Sequence, residues 1–414
     1  MNARSFSVLI ALAVFATATS AEAAVIKVSP GESIQAAIDA ASPGDTILVE
    51  PGIYAEAGSM AGTTEVGLYI TTDNLRLIGK TRPGQGEDGK VRLVASGNQE
   101  TGIYAGPAAC GPEVGVGECP DELQGFEIRG FTVEDFPKNG IQTRFVDGFK
   151  IIRNESARNG NVNGNGIYPT ISANGLVQNN VSYGSRDTAM WVAACENVRV
   201  LGNDVYDSPI GLEVNVSVNI EVKHNDVHGN TVGIALFHPN SAGNKPRPDQ
   251  GNWVVSHNNV YDNNLFPNPA PEGSFQGALP PGIGILLLGV SGNTVVKNDV
   301  ANNGFVGIGV LGWCTATSTI PRFNCVEKPP VIDGVFYDPS VSDNLIAQNK
   351  VSGNGTNPPP VGPPLIDLAA DLTYFSAGAP AGESSSGNCF EKNKPAGFTF
   401  VSSEPDGELP TDGC

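Results

Sequence analysis

Apolar positions along most of this chain fall in short alternating bursts, not at helical spacing. Val198-Arg-Val200 is typical, with one polar side chain between two apolar ones, the period of a strand with one buried face. A unit recurs in which a strand opening Gly-Ile or similar leads through a polar bend to a Val-x-Val strand, then to Asn and another short strand. The Asn appears at Asn154, Asn180, Asn203, Asn225, Asn258, Asn298 and Asn349, with gaps of 26, 23, 22, 33, 40 and 51 residues. The short gaps fit one coil of three brief strands, and the long ones fit the same coil with loops inserted. An Asn at a sharp bend can bond its own equivalents in the coils above and below, so these residues read as a structural ladder. The pattern predicts an all-β fold, a right-handed parallel β-helix solenoid. With each coil rising by about the strand spacing of 4.8 Å, ten or so coils make a rod on the order of 50 Å long.

Both ends of a solenoid need covers. Ile34, Ala37, Ile38 and Ala41 share one face of a helix that Pro43-Gly44 stops, which predicts an N-terminal cap followed by Thr46–Val49 as the first strand. The coils fade after Asn349 into Pro358-Pro-Pro360, so residues 358–414 read as a Pro-rich segment and irregular cover beyond a β-helix at 24–357. At the start, Arg4, the apolar run Phe6 to Ala18 and Ala21-Glu22-Ala23 have the three parts of a secretory signal peptide over residues 1–23. A soluble protein, periplasmic or secreted, is the expectation, without membrane insertion.

The stretch from Glu32 through Ser33-Ile34-Gln35-Ala36-Ala37-Ile38 to Pro51-Gly52-Ile53-Tyr54 resembles the opening of pectin-lyase-like right-handed β-helices. The later coils resemble the exported bacterial parallel β-helix repeat family, whose activity is not established. The resemblance implies the fold over nearly the whole mature chain. It leaves function open, because the fold carries lyases, hydrolases, esterases, epimerases and adhesins. The Asp-Pro-His-Asp of alginate epimerases, the Gly-His-Gly of polygalacturonases and the Trp-x-Asp-His of pectate lyases are all missing from the sequence.

A formal charge of −19 excludes nucleic acid and anionic lipid as natural partners. Seven Cys fall as Cys110 with Cys119, Cys314 with Cys325, Cys389 with Cys414, and Cys195 alone. Local pairs in an exported chain predict disulfides; zinc is the rival, but paired CxxC spacing and neighbouring His are lacking. Cys195 reads as a small buried residue.

Long insertions leave the coils around the Gly-Ile strand, at Asn240–Gly251, Phe266–Pro281 and Trp313–Ser342, and would raise walls about that strand face as a trough. With Ile141, Ile167, Met190, Leu212, Ile234, Ile285 and Ile308 inward, the floor holds Gln142, Arg144, Tyr168, Thr170, Trp191, Glu213 and Asn215 in the earlier coils, with Arg186, Asp187 and His238 near the corners. The later coils supply Ala235, Leu286, Leu288, Gly309 and Leu311, an apolar half that could instead lie under the loops. Aromatic rings beside hydrogen-bonding groups suit a sugar chain, which makes Gln142, Tyr168, Trp191, Asn215 and Arg186 candidate substrate contacts.

Two function classes follow. A polysaccharide lyase or epimerase needs a base and cations, roles for Arg144, Arg186 and His238, while a glycoside hydrolase needs paired carboxylates, for which Asp187 and Glu213 are the candidates. The alternative is a non-catalytic cell-envelope scaffold, a monomer whose Pro-rich loops meet another exported protein. Arg144 with Glu213 and Arg186 with Asp187 also read as ion pairs. Acidic residues near the trough raise calcium as a cofactor, although no Asp-x-Asp-x-Asp loop is present. Residues 138–199 carry seven basic against four acidic side chains, a slight lean to an acidic sugar. His224, His228 and His257 flank the ladder and are expected in solvent.

Overall fold

A computed structural model describes residues 23–81, 86–115, 117–161, 164–237, 250–318, 324–325, 331–332, 335–361, 365–376, 385–411 and 413–414. The proposed signal segment and His238 lie outside them.

Three long sheets, of twelve, ten and twelve strands among the described residues, run side by side along the molecule. Within them neighbouring strands pair in parallel with the strand one coil on, apart from one antiparallel hairpin, Ser59–Ala61 with Thr64–Ile70. The first sheet contains Glu196–Leu201, the second Asp204–Tyr206 and the third Ile210–Asn215, so one coil visits each in turn. Ile141, Ile167, Met190, Leu212, Ile234, Ile285 and Ile308 are aligned on the third sheet, fully buried in a single apolar core that runs the length of the solenoid.

The Asn ladder forms as its spacing predicts. Asn203 shows the unit: its Oδ1 accepts from the backbone N–H and Nδ2 of Asn180, and its own Nδ2 donates to Asn225 Oδ1 and to the Val177 carbonyl. Every donor and acceptor of a buried amide is thereby used. A second ladder, Asn230, Asn263, Asn303 and Asn354, closes the next corner.

The N-terminal helix forms over Ile34–Ala40, with Ser33 Oγ accepting from the Ala36 N–H and Ile34, Ala37 and Ile38 on the core. Thr46–Val49 is not the first strand: Val25–Val28 pairs beneath it, and the helix crosses between the two. At the other end the sheets extend past residue 357. Ala370–Phe375 joins the third sheet, Cys389–Glu391 the first and Phe400–Ser402 the third, so the expected irregular cover contributes strands. Proline clusters hid these strands because only the short stretches between them pair. All three expected disulfides are present, and Cys195 is buried outside them, its thiol donating to the Pro169 and Ala193 carbonyls.

Candidate functional site

Strand alternation on the third sheet sends two rows outward. One runs Tyr104, Gln142, Tyr168, Trp191, Glu213, Ala235, Leu286; the other runs Arg144, Thr170, Ala193, Asn215, Phe237, Leu288. Along the first, Tyr168 and Trp191 stack with ring centroids 4.7 Å apart.

From Ala235 onward the rows are roofed. Phe275 and Leu279 of one insertion, Trp313 of the next and Leu368 pack onto Ala235, Phe237, Leu286 and Leu288 as a second apolar core. Phe275 stacks on Trp313 at 5.3 Å and meets Phe237 edge-on at 5.2 Å. The apolar half of the floor is therefore interior. The opposite end is also walled, by the loop that Cys110–Cys119 closes: Tyr104 Oη donates to the Cys110 carbonyl, and Arg144 Nε donates to the Val114 carbonyl. Between these walls lie Gln142, Tyr168, Trp191 and Glu213 with Thr170, Ala193 and Asn215. Tyr168 is the one partly exposed; the rest are buried.

A carboxyl pair sits at the roofed end. Glu213, 1% exposed, accepts at Oε2 from Thr188 Oγ1 at 2.9 Å, and that hydroxyl lies 3.3 Å from Asp187 Oδ1. One hydroxyl has one proton, so Thr188 cannot donate to both carboxylates at once; the Gln276 side chain also hydrogen-bonds Asp187. Burial pushes the Asp187 carboxyl up to about 7. Burial and the neighbouring Asp187 charge hold Glu213 well above the usual carboxylate range. Asn215 Nδ2 approaches Glu213 Oε1 at 3.4 Å while its Oδ1 accepts from Trp191 Nε1 at 3.2 Å, which links the acid pair to the aromatic stack.

The expected ion pairs do not form. Arg144 bonds a carbonyl and lies over the Phe145 ring, and the exposed Arg186 reaches the Pro269 carbonyl at 3.3 Å, so both are drawn to loops and not to acids. Gln142 accepts from Asn139 Nδ2 at 3.0 Å. Thr188 and Thr170 matter more than the sequence suggested. Thr188 bridges the acids, and the Thr170 hydroxyl is buried in the floor without a hydrogen-bond partner. Lys150 and Arg199 point from the first sheet, so the basic window does not face the trough.

His224 and His257 are exposed as expected, but His228 is half-buried, stacked between Tyr206 and Tyr261, with Nε2 3.1 Å from Asp204 Oδ1. Asp204, Asp226 and His228 bring ligand atoms within 4.8 Å of one another, on the second sheet and away from the trough.

A family model described as "Right handed beta helix region" matches residues 94–246. The A-module of mannuronan C-5 epimerase AlgE4 from Azotobacter vinelandii superimposes with a TM-score of 0.54 at 16% identity, covering 90% of this chain and 95% of that one. This chain is a right-handed parallel β-helix. An alginate lyase from Paenibacillus sp. strain FPU-7 is similar at a TM-score of 0.41 and 12% identity, covering 91% of this chain and 97% of that one. No curated protein matches the sequence. At these identities the likeness is one of fold. Among the described residues, no helix of the β-helix is long and apolar enough to cross a membrane.

Proposed function

We propose that this β-helix is an exported, carbohydrate-active protein that holds a saccharide over Tyr168 and Trp191, with Asp187 and Glu213 as its acid–base pair. The observation that carries the reading is the pair itself. Two buried carboxyls share one hydroxyl, and among the described residues no cation bonds either of them. Such an arrangement is costly as a strut and useful as a proton store. The partly exposed Tyr168 ring beside it offers an apolar contact for a pyranose, and Asn215 connects its stacked neighbour Trp191 to Glu213. Three disulfides support an oxidising compartment, hence a periplasmic or secreted protein.

The chemistry best suited to such a pair is glycosidic cleavage. The protonated carboxyl gives its proton to the leaving oxygen as the C–O bond breaks, and the ionised one takes a proton from the water that forms the new C–O bond. A lyase or epimerase route is less supported, since the Arg144 guanidinium it would need for charge neutralisation is committed to the Val114 carbonyl. The AlgE4 module, named as an epimerase, supports a carbohydrate reading without selecting the reaction.

The test is a screen of the purified protein against alginate, polygalacturonate, xylan and inulin, with calcium or chelator, reading bound glycan, unsaturated-sugar absorbance and reducing ends together. New reducing ends that vanish in Asp187→Asn and Glu213→Gln support the reading. Bound glycan without product, retained in both variants, would instead make it a binding protein. The exposed Phe266, 68% accessible at the head of a Pro-rich insertion, favours that second reading as a contact for another exported protein.

A further inference from the structure

We infer that Asp204, Asp226 and His228 form a binding site for one divalent transition cation of the zinc type, on the second sheet and independent of the carbohydrate reading above. The strand pleat assembles it. Asp226 and His228 are alternate residues of one strand, so both side chains leave its outer face, and Asp204 is the residue paired with Asp226 one coil earlier. Their ligand atoms all lie within 4.8 Å of one another, and the edge from His228 Nε2 to Asp204 Oδ1 is 3.1 Å. Zinc bonds of about 2.0–2.2 Å to nitrogen and oxygen set ligand atoms roughly 3.3–3.6 Å apart around a tetrahedral centre. That edge is therefore in place, and the half-buried Asp226 carboxylate needs only a small rotation to complete a three-residue set, with water in the fourth position.

Two further features separate this cluster from an ordinary surface pair. Asp204 and Asp226 stand directly opposite each other in register, an arrangement of like charges that costs stability, and among the described residues no Lys or Arg pairs with either. One imidazole cannot neutralise both carboxylates, whereas a dication does. The ligands are also held in place. His228 is stacked between Tyr206 and Tyr261, with centroids 5.2 and 5.1 Å away and both rings inclined by 14°, which fixes the plane of the imidazole. Asn259 Nδ2 donates to Asp226 Oδ1 at 3.0 Å, and the Tyr261 side chain hydrogen-bonds the same carboxylate, the kind of outer contact that orients metal ligands. An imidazole beside two carboxylates favours zinc, copper or nickel over calcium and magnesium, which take oxygen alone.

The experiment is calorimetric titration of the purified protein with zinc chloride and, separately, with calcium chloride. The expected result is one zinc per chain, with calcium at least about tenfold weaker. His228→Phe keeps a ring in the Tyr206–Tyr261 stack but removes the ligating nitrogen, and should lose zinc binding at an unchanged melting temperature. Asp226→Asn, close to isosteric, should lose it as well and guards against a stacking defect in the first variant. Tyr261→Phe, which removes only the outer contact, should weaken zinc about tenfold. Zinc bound by His228→Phe or Asp226→Asn as tightly as by the natural protein overturns the site. So does loss of binding in His224→Ala or His257→Ala instead, which would move the metal to that exposed pair, whose rings are 5.3 Å apart. Calcium bound as tightly as zinc overturns the class of cation, and no zinc binding by the natural protein reduces the cluster to a His228–Asp204 pair. None of these outcomes bears on the saccharide screen, so the two readings fail separately.

Discussion

Asp187 and Glu213 gain protons on folding, because burial penalises their charged forms and the Asp187 charge further opposes ionisation of Glu213. The sign of the linkage follows. A carboxyl whose folded pKa is raised contributes stability below the ordinary carboxyl range, and that contribution is lost as pH climbs through its folded value, about 7 for Asp187. Asp187→Asn removes the loss while keeping an oxygen for Thr188. The variant should match the natural protein near pH 4 and exceed it at pH 8.5 by on the order of 2–4 kcal/mol in urea unfolding. Equal or lower stability at pH 8.5 would mean that the pair is not charge-strained. In the sequence, Asp187 and Glu213 were legible as trough acids because alternation from Ile167, Met190 and Leu212 fixes which side chains face out. Their sharing of Thr188 was not, since it depends on a corner residue meeting the next coil's strand. The arginines were misjudged because the sequence holds no sign of which carbonyls loops will offer.

An element of this fold is three residues of strand and a bend, and the bends carry the polar order. Asn225 accepts from Asn203 and donates to Asn258 and to the Val200 carbonyl. Asn225→Ala strands all of these in the interior, and should cost about 2–4 kcal/mol in the unfolding midpoint at an unchanged m-value. A loss under 1 kcal/mol would show the ladder to be incidental. The first ladder was readable from spacing alone. The second could have been: Asn225 and Asn230, Asn258 and Asn263, Asn298 and Asn303, and Asn349 and Asn354 repeat one offset of five residues, a strand and its bend. It ends on Asp371, whose Oδ1 takes both donors of Asn354 and whose Oδ2 takes Thr399. A carboxylate suits that place, because it accepts on both sides and has nothing left to donate.

For the molecule as a whole, the C-terminal strands are part of the solenoid. Ending the chain at residue 357 would bare the edge of Val306–Leu311 and the apolar residues under Leu368. Such a truncation should aggregate or bind a hydrophobic dye where the full chain does not; a soluble monomer with the full chain's melting temperature would contradict it. The resemblance of the opening residues to known β-helices foretold the architecture, while the Pro-rich tail concealed how far it runs.

The unequal coils also bear on how the chain finds its fold. The same ladder contact closes across 22 residues between Asn203 and Asn225 and across 51 between Asn298 and Asn349. Ring closure over the longer span costs only about 0.7 kcal/mol more. The compact coils around Asn180 to Asn225 are thus the cheapest to close first, and winding would proceed outward from them toward both caps. Pulse-labelled hydrogen exchange should therefore protect Val198–Val200 and Ile220–Val222 before Val295 and Ile346. An inverted order would place the nucleus in the roofed half, where the insertions bring their own core.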